Sequence, residues 1–315
     1  MDRDERPKAI AMGEAGAIGA APDMAAIRPG DNPALGILLM VAAMMVVPFI
    51  DVLAKFLSDR YGTIQLTWAR FFFHFSILAP VVLYRYGAAA LKPRQPVLQL
   101  VRGGFTLAAS ILFFGAIAKM PIADALALLF VSPMVVTALS PFLLGEQVGV
   151  RRWAAVIFGF LGALIILRPG FGVAQPGSYL AIGAGCSFAL YTLLTRKLSG
   201  SAPPLVTLTY SAVLGAALMS IAVIPGWITP PPMDLLMMVG IGAVAAGGHF
   251  LLIRAFDHAP ASLLAPYSYS EIVMATAVGW IFFNDFPDGW TWTGIAVIVA
   301  SGIYISWRER RTHTR

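Results

Sequence analysis

The stretch ASLLAPYSYSEIVMATAVGWIFFND, from Ala261 to Asp285, has the composition of a membrane span but carries polar side chains near its middle. Its length meets the roughly 20 apolar residues that a helix needs to cross a bilayer. Glu271 lies about half-way along it, and an ionisable side chain at that depth costs about 2.5–3.5 kcal/mol on insertion scales. Such side chains usually face a cavity or a partner, so we expect this stretch to carry function.

An earlier stretch, IADALALLFVSPMVVTALSPFLLGE from Ile122 to Glu146, corresponds to the first one at a shift of 139 residues. The shift needs no gap, and it aligns Ser132 with Glu271. It also aligns these pairs: Ala116 with Ala255, Pro121 with Pro260, Phe130 with Tyr269, Glu146 with Asp285, and Trp153 with Trp292. The correspondence indicates an internal repeat that is interrupted at a similar depth in both halves.

The composition of the whole chain is that of a polytopic membrane protein. Hydrophobic residues make up 58% and charged residues 12% of the chain, and the mean hydropathy is +0.78. In soluble domains about a quarter of the residues are charged. Ten apolar blocks of spanning length are predicted, near residues 35–57, 63–84, 97–118, 121–144, 150–168, 178–198, 205–225, 234–256, 261–283 and 290–307. Because most breaks between them are short, neighbouring spans are expected to be antiparallel.

Each half of the repeat then holds five spans, an odd number, so the two halves enter the membrane in opposite directions. The predicted fold is all-α, a polytopic membrane protein with ten transmembrane helices in two inverted five-helix repeats, residues 34–170 and 171–307. Transporters built from such repeats bind substrate near the midplane, between the repeats. Residues 1–33 are predicted to be a disordered cytoplasmic tail, and residues 308–315 a second cytoplasmic tail.

The positions of lysine and arginine residues in the loops indicate the orientation of the chain in the membrane. If the N-terminus is cytoplasmic, only Arg60, Lys119 and Arg168 lie in loops on the outer side. Both termini are therefore expected in the cytoplasm, and the protein in the cell inner (cytoplasmic) membrane. This bias accounts for the net charge of +6 without a nucleic-acid partner. The expected partners are the lipid bilayer and a small-molecule substrate, and formation of a homodimer stays open.

The sequence lacks the patterns of catalytic and metal-binding sites. It contains no GxSxG, HExxH or phosphate-binding Gly-Lys motif, and its single cysteine, Cys186, excludes an intramolecular disulfide. We therefore predict no catalytic residues, no metal site and no cofactor. A transporter is favoured over a polytopic membrane enzyme.

The chain resembles the drug/metabolite transporter superfamily, and within it the EamA-type transporters. The matching residues are Leu100-Val101-Arg102-Gly103, Met120-Pro121-Ile122-Ala123-Asp124-Ala125, Leu144-Gly145-Glu146, Gly159, Gly162, Arg168-Pro169-Gly170, Arg254-Ala255-Phe256, Ala261 to Pro266, Gly294 and Gly302. The resemblance covers roughly residues 34–307. It implies ten helices in two inverted repeats around a central cavity that both halves line.

Glu271 is the first candidate for binding substrate or for coupling transport to an ion. Tyr267 stands one turn earlier, on the same face of a continuous helix, and Ser270 flanks that face. In the other half, Ser132 and Phe130 occupy the corresponding place. The alternatives are that Glu271 is the structural partner of another buried polar side chain, and that the Ser-Pro pair beginning at Ser132 only kinks a helix.

A second group of polar residues lies on the first two spans. Asp51 and Lys55 are four residues apart and are expected to pair along one helix face, either as a structural ion pair or as an outward gate. Arg70, Trp68 and His74 on the second span are candidates for the same cavity.

Later spans add fewer candidates. Tyr191 on the sixth span is a candidate cavity residue, and His249 on the eighth is another. Arg102 opens a span on the cytoplasmic side, where topology accounts for it without a ligand.

The substrate is the least determined part of the prediction. The motifs VLAKFL (residues 52–57), LLxPxxYxE (residues 263–271) and the closing Asn284-Asp285 are similar to a branch of the family that includes riboflavin importers and S-adenosylmethionine carriers. The resemblance makes riboflavin uptake the first expectation, because a planar flavin suits an aromatic cavity. The alternatives are S-adenosylmethionine and export of an amino acid or a related amphipathic metabolite.

Overall fold

The computed structural model describes residues 32–87, 95–144, 150–167, 176–198, 202–259, 264 and 267–312. These residues are almost entirely helical, and no strand occurs among them. The helices are α1 (Pro33–Val46), α2 (Pro48–Leu57), α3 (Thr63–Tyr86), α4 (Pro96–Ile117), α5 (Ile122–Leu129), α6 (Ser132–Leu144), α7 (Val150–Leu167), α8 (Pro176–Lys197), α9 (Pro204–Ala222), α10 (Pro232–His258), α11 (Ser270–Phe283) and α12 (Gly289–Thr312).

Seven helical segments among the described residues are long and apolar enough to cross a membrane. They carry the first four predicted spans and the sixth, seventh and eighth. The other three predicted spans coincide with shorter apolar stretches, which are Val156–Ile166 of α7, Ser270–Phe283 of α11 and Gly289–Ser301 of α12. The all-helical prediction is confirmed, whereas the count of ten spans stays a prediction.

Two of the predicted spans are broken by proline. α1 ends at Val46 and α2 begins at Pro48, because a proline nitrogen has no hydrogen to donate and its ring clashes with the preceding turn. The fourth predicted span is interrupted at Phe130 and Val131, just before Pro133 in the first turn of α6. Proline is tolerated in a first turn, so the chain restarts its helix there. Each break puts a polar residue, Asp51 or Ser132, at the start of a new helix.

The helices pack in a network of pairs. α4 lies against α8 and α9, α10 lies against α1 and α3, and α3 lies against α9. α7 and α12 approach closely: a Cβ added at Gly294 would lie 2.7 Å from the carbonyl oxygen of Gly162. Only glycine permits this backbone contact, which is typical of tightly packed membrane helices.

The outer surface of the bundle is apolar. Many large hydrophobic side chains are exposed, among them Phe142, Val150 and Ile221. A soluble protein rarely exposes apolar area on this scale. The interior holds the polar residues instead, and these define the candidate site.

Candidate functional site

Asp51 of α2, Arg70 of α3 and Glu271 of α11 form a charged cluster inside the bundle. The charges of the three side chains act on one another. Asp51 is 5% exposed, while Arg70 and Glu271 are half-buried. Among the described residues, no basic nitrogen lies within 4.0 Å of either carboxylate in this cluster. Two carboxylates thus face one guanidinium without a direct ion pair.

The expected pairing of Asp51 with Lys55 is wrong. Lys55 instead donates to Asp285 Oδ2 at 2.7 Å, and Asp51 faces the charges of Arg70 and Glu271. The two side chains leave α2 one turn apart, but the long lysine stem reaches towards the end of the bundle. Asp51 therefore belongs to the interior cluster, and Lys55 to a contact at the helix ends.

Glu271 owes its position to the start of α11. The chain turns at Tyr269, α11 begins at Ser270, and Glu271 lies in its first turn. The first backbone N–H groups of a helix lack intrahelical acceptors, and the positive end of the helix dipole favours a carboxylate there. The same groups can bind an anionic part of a ligand.

Tyr267 lies one turn before Glu271, on the other side of the turn at Tyr269. Residues 267 and 268 are helical, the chain turns at Tyr269, and α11 begins at Ser270. Tyr267 is 36% exposed, and its carbonyl oxygen accepts a hydrogen bond from Ser270 Oγ at 2.6 Å. Ser270 thereby stabilises the turn that sets the start of α11.

Phe130 and Tyr269 lie at the two helix breaks and touch each other. Their ring centroids are 5.2 Å apart with an interplanar angle of 37°. Ser132 is buried at the start of α6, two residues after Phe130. α5 also packs against α11. The structure therefore brings Phe130 and Ser132 to the start of the helix that carries Glu271.

Tyr191 of α8 lies between two arginines. The guanidinium of Arg102 is 5.3 Å from the centroid of the Tyr191 ring, and the Tyr191 side chain also lies in the neighbourhood of Arg70. A cation over an aromatic face contributes about 0.5–2 kcal/mol. Tyr191 thus joins the charged cluster to a second basic residue.

Arg102 lies near the start of α4 and is buried there between helices. It is 1% exposed. It donates hydrogen bonds to the carbonyl oxygen of Thr207, to Ser211 Oγ at 2.8 Å and to Thr195 Oγ1 at 3.4 Å. These contacts tie α4 to α8 and α9. The sequence shows that an arginine lies at the start of a span. It contains no local pattern that predicts the three hydrogen-bond acceptors of Arg102.

The buried His74 and the half-buried His249 form a pair beside the cluster. Their ring centroids are 5.8 Å apart, and His249 Nδ1 lies 2.8 Å from the carbonyl oxygen of Ala245. Both rings lie within the electrostatic range of Arg70. The helices approach closely here, because a Cβ added at Gly242 would lie 2.7 Å from the backbone nitrogen of His74. His74 therefore lies beside the charged cluster.

Trp68 contacts the end of α9 and the loop after it. Its Nε1 donates to Ser220 Oγ at 3.0 Å, and its ring stacks on Phe72 and meets Trp227 edge-on at 5.0 Å. These contacts fix α3 to the end of α9 and to the loop that follows. The structure does not join Trp68 to the charged cluster.

The described residues contain no group of three or more His, Cys, Asp or Glu side chains that could hold a metal ion. What the cluster offers is recognition: two carboxylates, one guanidinium and aromatic faces in an apolar bundle. These groups are able to form ion pairs and hydrogen bonds, and the aromatic faces offer surfaces for stacking.

Comparison with known proteins supplies the family. A model of the EamA-like transporter family matches residues 34–168 and again residues 175–307. The chain belongs to this family. It is therefore a multi-pass membrane transporter rather than an enzyme, and it moves a small molecule. The resemblance drawn from the sequence motifs is confirmed.

Curated relatives of the transporter carry different substrates. The chain is 30% identical over 268 residues to an S-adenosylmethionine uptake transporter of Rickettsia prowazekii, covering 83% of this chain and 89% of that protein. It is 28% identical over 286 residues to a riboflavin transporter of Vibrio cholerae, covering 89% and 96%. A solved crystal structure shares the fold, with a TM-score of 0.64 at 19% identity over 89% of this chain and 99% of the other.

Proposed function

We propose that the transporter is a secondary active carrier that takes up S-adenosylmethionine across the cytoplasmic membrane. The observation that carries this proposal is the interior cluster of Asp51, Arg70 and Glu271. Buried ionisable side chains in a membrane protein are costly and usually serve the transported solute or ion. Here they occur with the aromatic rings of Phe130, Tyr269 and Tyr191.

The charges of the cluster match those of S-adenosylmethionine. This solute has a sulfonium cation, an α-ammonium and an α-carboxylate, so it carries a net positive charge. Asp51 and Glu271 would bind the two cationic groups, and the planar guanidinium of Arg70 would bind the carboxylate in a bidentate manner. Two acids and one base in the cavity complement two cations and one anion in the solute.

The aromatic rings suit the adenine. The Phe130–Tyr269 pair presents flat faces next to Glu271, and Tyr191 adds a third ring near Arg70. A nucleobase stacked on an aromatic side chain contributes about 1–3 kcal/mol. Stacking of this kind does not depend on the charge of the ring system.

Riboflavin uptake is the second candidate, and the aromatic pair favours it. The flavin ring is uncharged at neutral pH and would stack on Phe130 and Tyr269 equally well. It carries no charged group, however, to bind Asp51, Arg70 and Glu271 after water has left them. Desolvated charges without partners are strongly unfavourable, so the charged cluster favours S-adenosylmethionine.

We propose alternating access of two inverted five-helix repeats as the mechanism, with both termini in the cytoplasm. The two family matches, one in each half, support the repeat. So do the helix contacts: under the 139-residue shift, α4 corresponds to α10 and α8 to the first span, and α4 packs on α8 as α10 packs on α1. The positive charges of the cytoplasmic loops support the orientation.

Uptake into proteoliposomes tests the proposal. Purified transporter should accumulate radiolabelled S-adenosylmethionine in a saturable manner, and empty liposomes should not. Unlabelled S-adenosylmethionine should compete fully, S-adenosylhomocysteine weakly because it lacks the sulfonium charge, and riboflavin not at all. Saturable uptake of riboflavin without uptake of S-adenosylmethionine would overturn the substrate, and the absence of solute-dependent flux for both would overturn the class of substrate.

A further inference from the structure

Lys55 makes three contacts at the end of α2. Its Nζ donates to Asp285 Oδ2 at 2.7 Å and to the carbonyl oxygen of Met120 at 3.1 Å. The same ammonium group lies 4.9 Å from the ring centroid of Phe283. A single side chain thus connects α2, the turn between α4 and α5, and the end of α11.

The backbone at the end of α11 sets the position of Asp285. Asn284 adopts a left-handed conformation with φ of 56°, which ends the helix, and asparagine tolerates this conformation better than most residues. The amide of Asp285 then donates back to the carbonyl oxygen of Gly279 at 3.1 Å. The turn therefore holds the carboxylate of Asp285 against Lys55.

Both ion pairs between described residues lie at this end of the bundle. Besides Lys55–Asp285, Arg60 pairs with Asp234 at 3.1 Å, and Tyr61 donates to the same carboxylate at 2.8 Å. Burial and the carboxylate of Asp234 raise the pKa of Tyr61 above its ordinary value. Each pair joins an element before residue 130 to one after residue 230. Polar contacts between the two halves are thus found at the end at which α2 and α11 finish.

The Lys55–Asp285 ion pair lies where it can dissociate. The two side chains are 16% and 30% exposed, so water can solvate both groups when they separate. A cavity of about 460 Å³ adjoins them and is also lined by Lys119, Pro121 and Phe283. A partly solvated ion pair contributes modestly to stability. It can form and break within a transport cycle.

We propose that Lys55 is the latch of the outer gate, and that its release from Asp285 opens the central cavity to the outside. The proposal rests on alternating access, as set out under the proposed function. In the closed state Lys55 holds the end of α11 and the α4–α5 turn together. Their separation would uncover the interior between Phe130, Ser132 and Glu271.

Cysteine accessibility tests the latch without any substrate. The native Cys186 is replaced by alanine, and Ser132→Cys supplies a single buried reporter. Right-side-out vesicles are treated with a membrane-impermeant thiol reagent, and the labelling rate of the reporter is measured. Lys55→Met and Asp285→Asn should each raise this labelling rate about five-fold. Loss of a weak ion pair shifts the equilibrium between the closed and open states by about this factor. The charge-swapped double variant Lys55→Asp with Asp285→Lys should bring the rate back to within about two-fold of the parent.

Arg60→Met is the matched control, because Arg60 belongs to an ion pair at the same end but is 69% exposed in its side chain. It should leave labelling unchanged, and a rise equal to that of Lys55→Met would overturn the latch in favour of general loosening. Unchanged labelling in both Lys55→Met and Asp285→Asn, in protein that retains the parental melting temperature, would also overturn it. A rise seen only in inside-out vesicles would contradict the outer position. Because no solute is used, failure of the latch is distinguishable from failure of the substrate proposal.

Discussion

Phe130 and Tyr269 stand 139 positions apart in the chain, and their rings pack with centroids 5.2 Å apart. If a two-fold axis relates the halves, a residue that touches its own counterpart lies on that axis. Both residues also occupy the point at which a predicted span breaks. The contact therefore marks the centre of the proposed repeat and the wall of the proposed cavity.

Leucine at either position should weaken binding more than it weakens the fold. Phe130→Leu and Tyr269→Leu should each raise the KM for S-adenosylmethionine about three- to ten-fold, because an aromatic face contributes about 0.5–1.5 kcal/mol beyond its area. The double variant should lose less than the product of the two effects, since the rings support each other. Uptake kinetics of the single and double variants measure these changes in KM. Strictly multiplicative effects would show that the two rings act independently.

Arg70→Lys keeps the positive charge in the cluster but removes the planar guanidinium group. If Arg70 binds the carboxylate of the solute with two parallel hydrogen bonds, lysine cannot replace it. We expect the affinity for S-adenosylmethionine to fall about ten-fold, the effect of losing roughly 1.4 kcal/mol. The affinity for decarboxylated S-adenosylmethionine, which has no carboxylate, should change less than two-fold. Equal losses for the two solutes would contradict a carboxylate contact.

Arg102 should act by fixing Tyr191. Its guanidinium joins α4 to Thr207 and Ser211 of α9 while lying over the Tyr191 ring. Arg102→Lys loses at least one of these bonds and should lower the free energy of unfolding by about 1–3 kcal/mol. It should also raise KM, because the Tyr191 ring is no longer held. Thermal unfolding in detergent and uptake kinetics measure the two effects, with Lys197→Met as the control on an exposed basic residue of the same bundle end. Unchanged KM with reduced stability would limit Arg102 to a structural role.

Trp68→Phe is expected to lower stability without changing substrate binding. Trp68 bonds to Ser220 and packs on Phe72 and Trp227, away from the charged cluster. The variant should unfold at a lower temperature, since it loses a hydrogen bond worth about 0.5–1.5 kcal/mol. Its KM should stay within about two-fold of the parent. A large change in KM with unchanged stability would return Trp68 to the substrate site.

The sequence predicted those parts of the site that depend on hydropathy and on the repeat. Glu271 is visible because a carboxylate interrupts an apolar run, and Phe130 because the 139-residue shift aligns it with Tyr269. The helical class follows from the same runs. These signals are local or periodic, and both can be read along the chain.

The partners of charged side chains could not be read in this way. A spacing of four residues brings Asp51 and Lys55 within reach of each other, but it does not exclude partners that fold up against them. Asp285 lies 230 positions from Lys55, and the acceptors of Arg102 lie 93 to 109 positions away. Such contacts depend on which helices become neighbours. The turn at Tyr269, just before α11, depends likewise on tertiary packing.

The preference for S-adenosylmethionine over S-adenosylhomocysteine tests the central claim most directly. The two solutes differ by the methyl group and positive charge on sulfur, so the ratio of their binding affinities reports how the cluster recognises that charge. The parent protein should prefer S-adenosylmethionine at least about ten-fold, and Glu271→Gln, which removes one negative charge at nearly constant shape, should reduce the preference to within about two-fold. A preference that is unchanged in Glu271→Gln, and also in Asp51→Asn, would contradict the account.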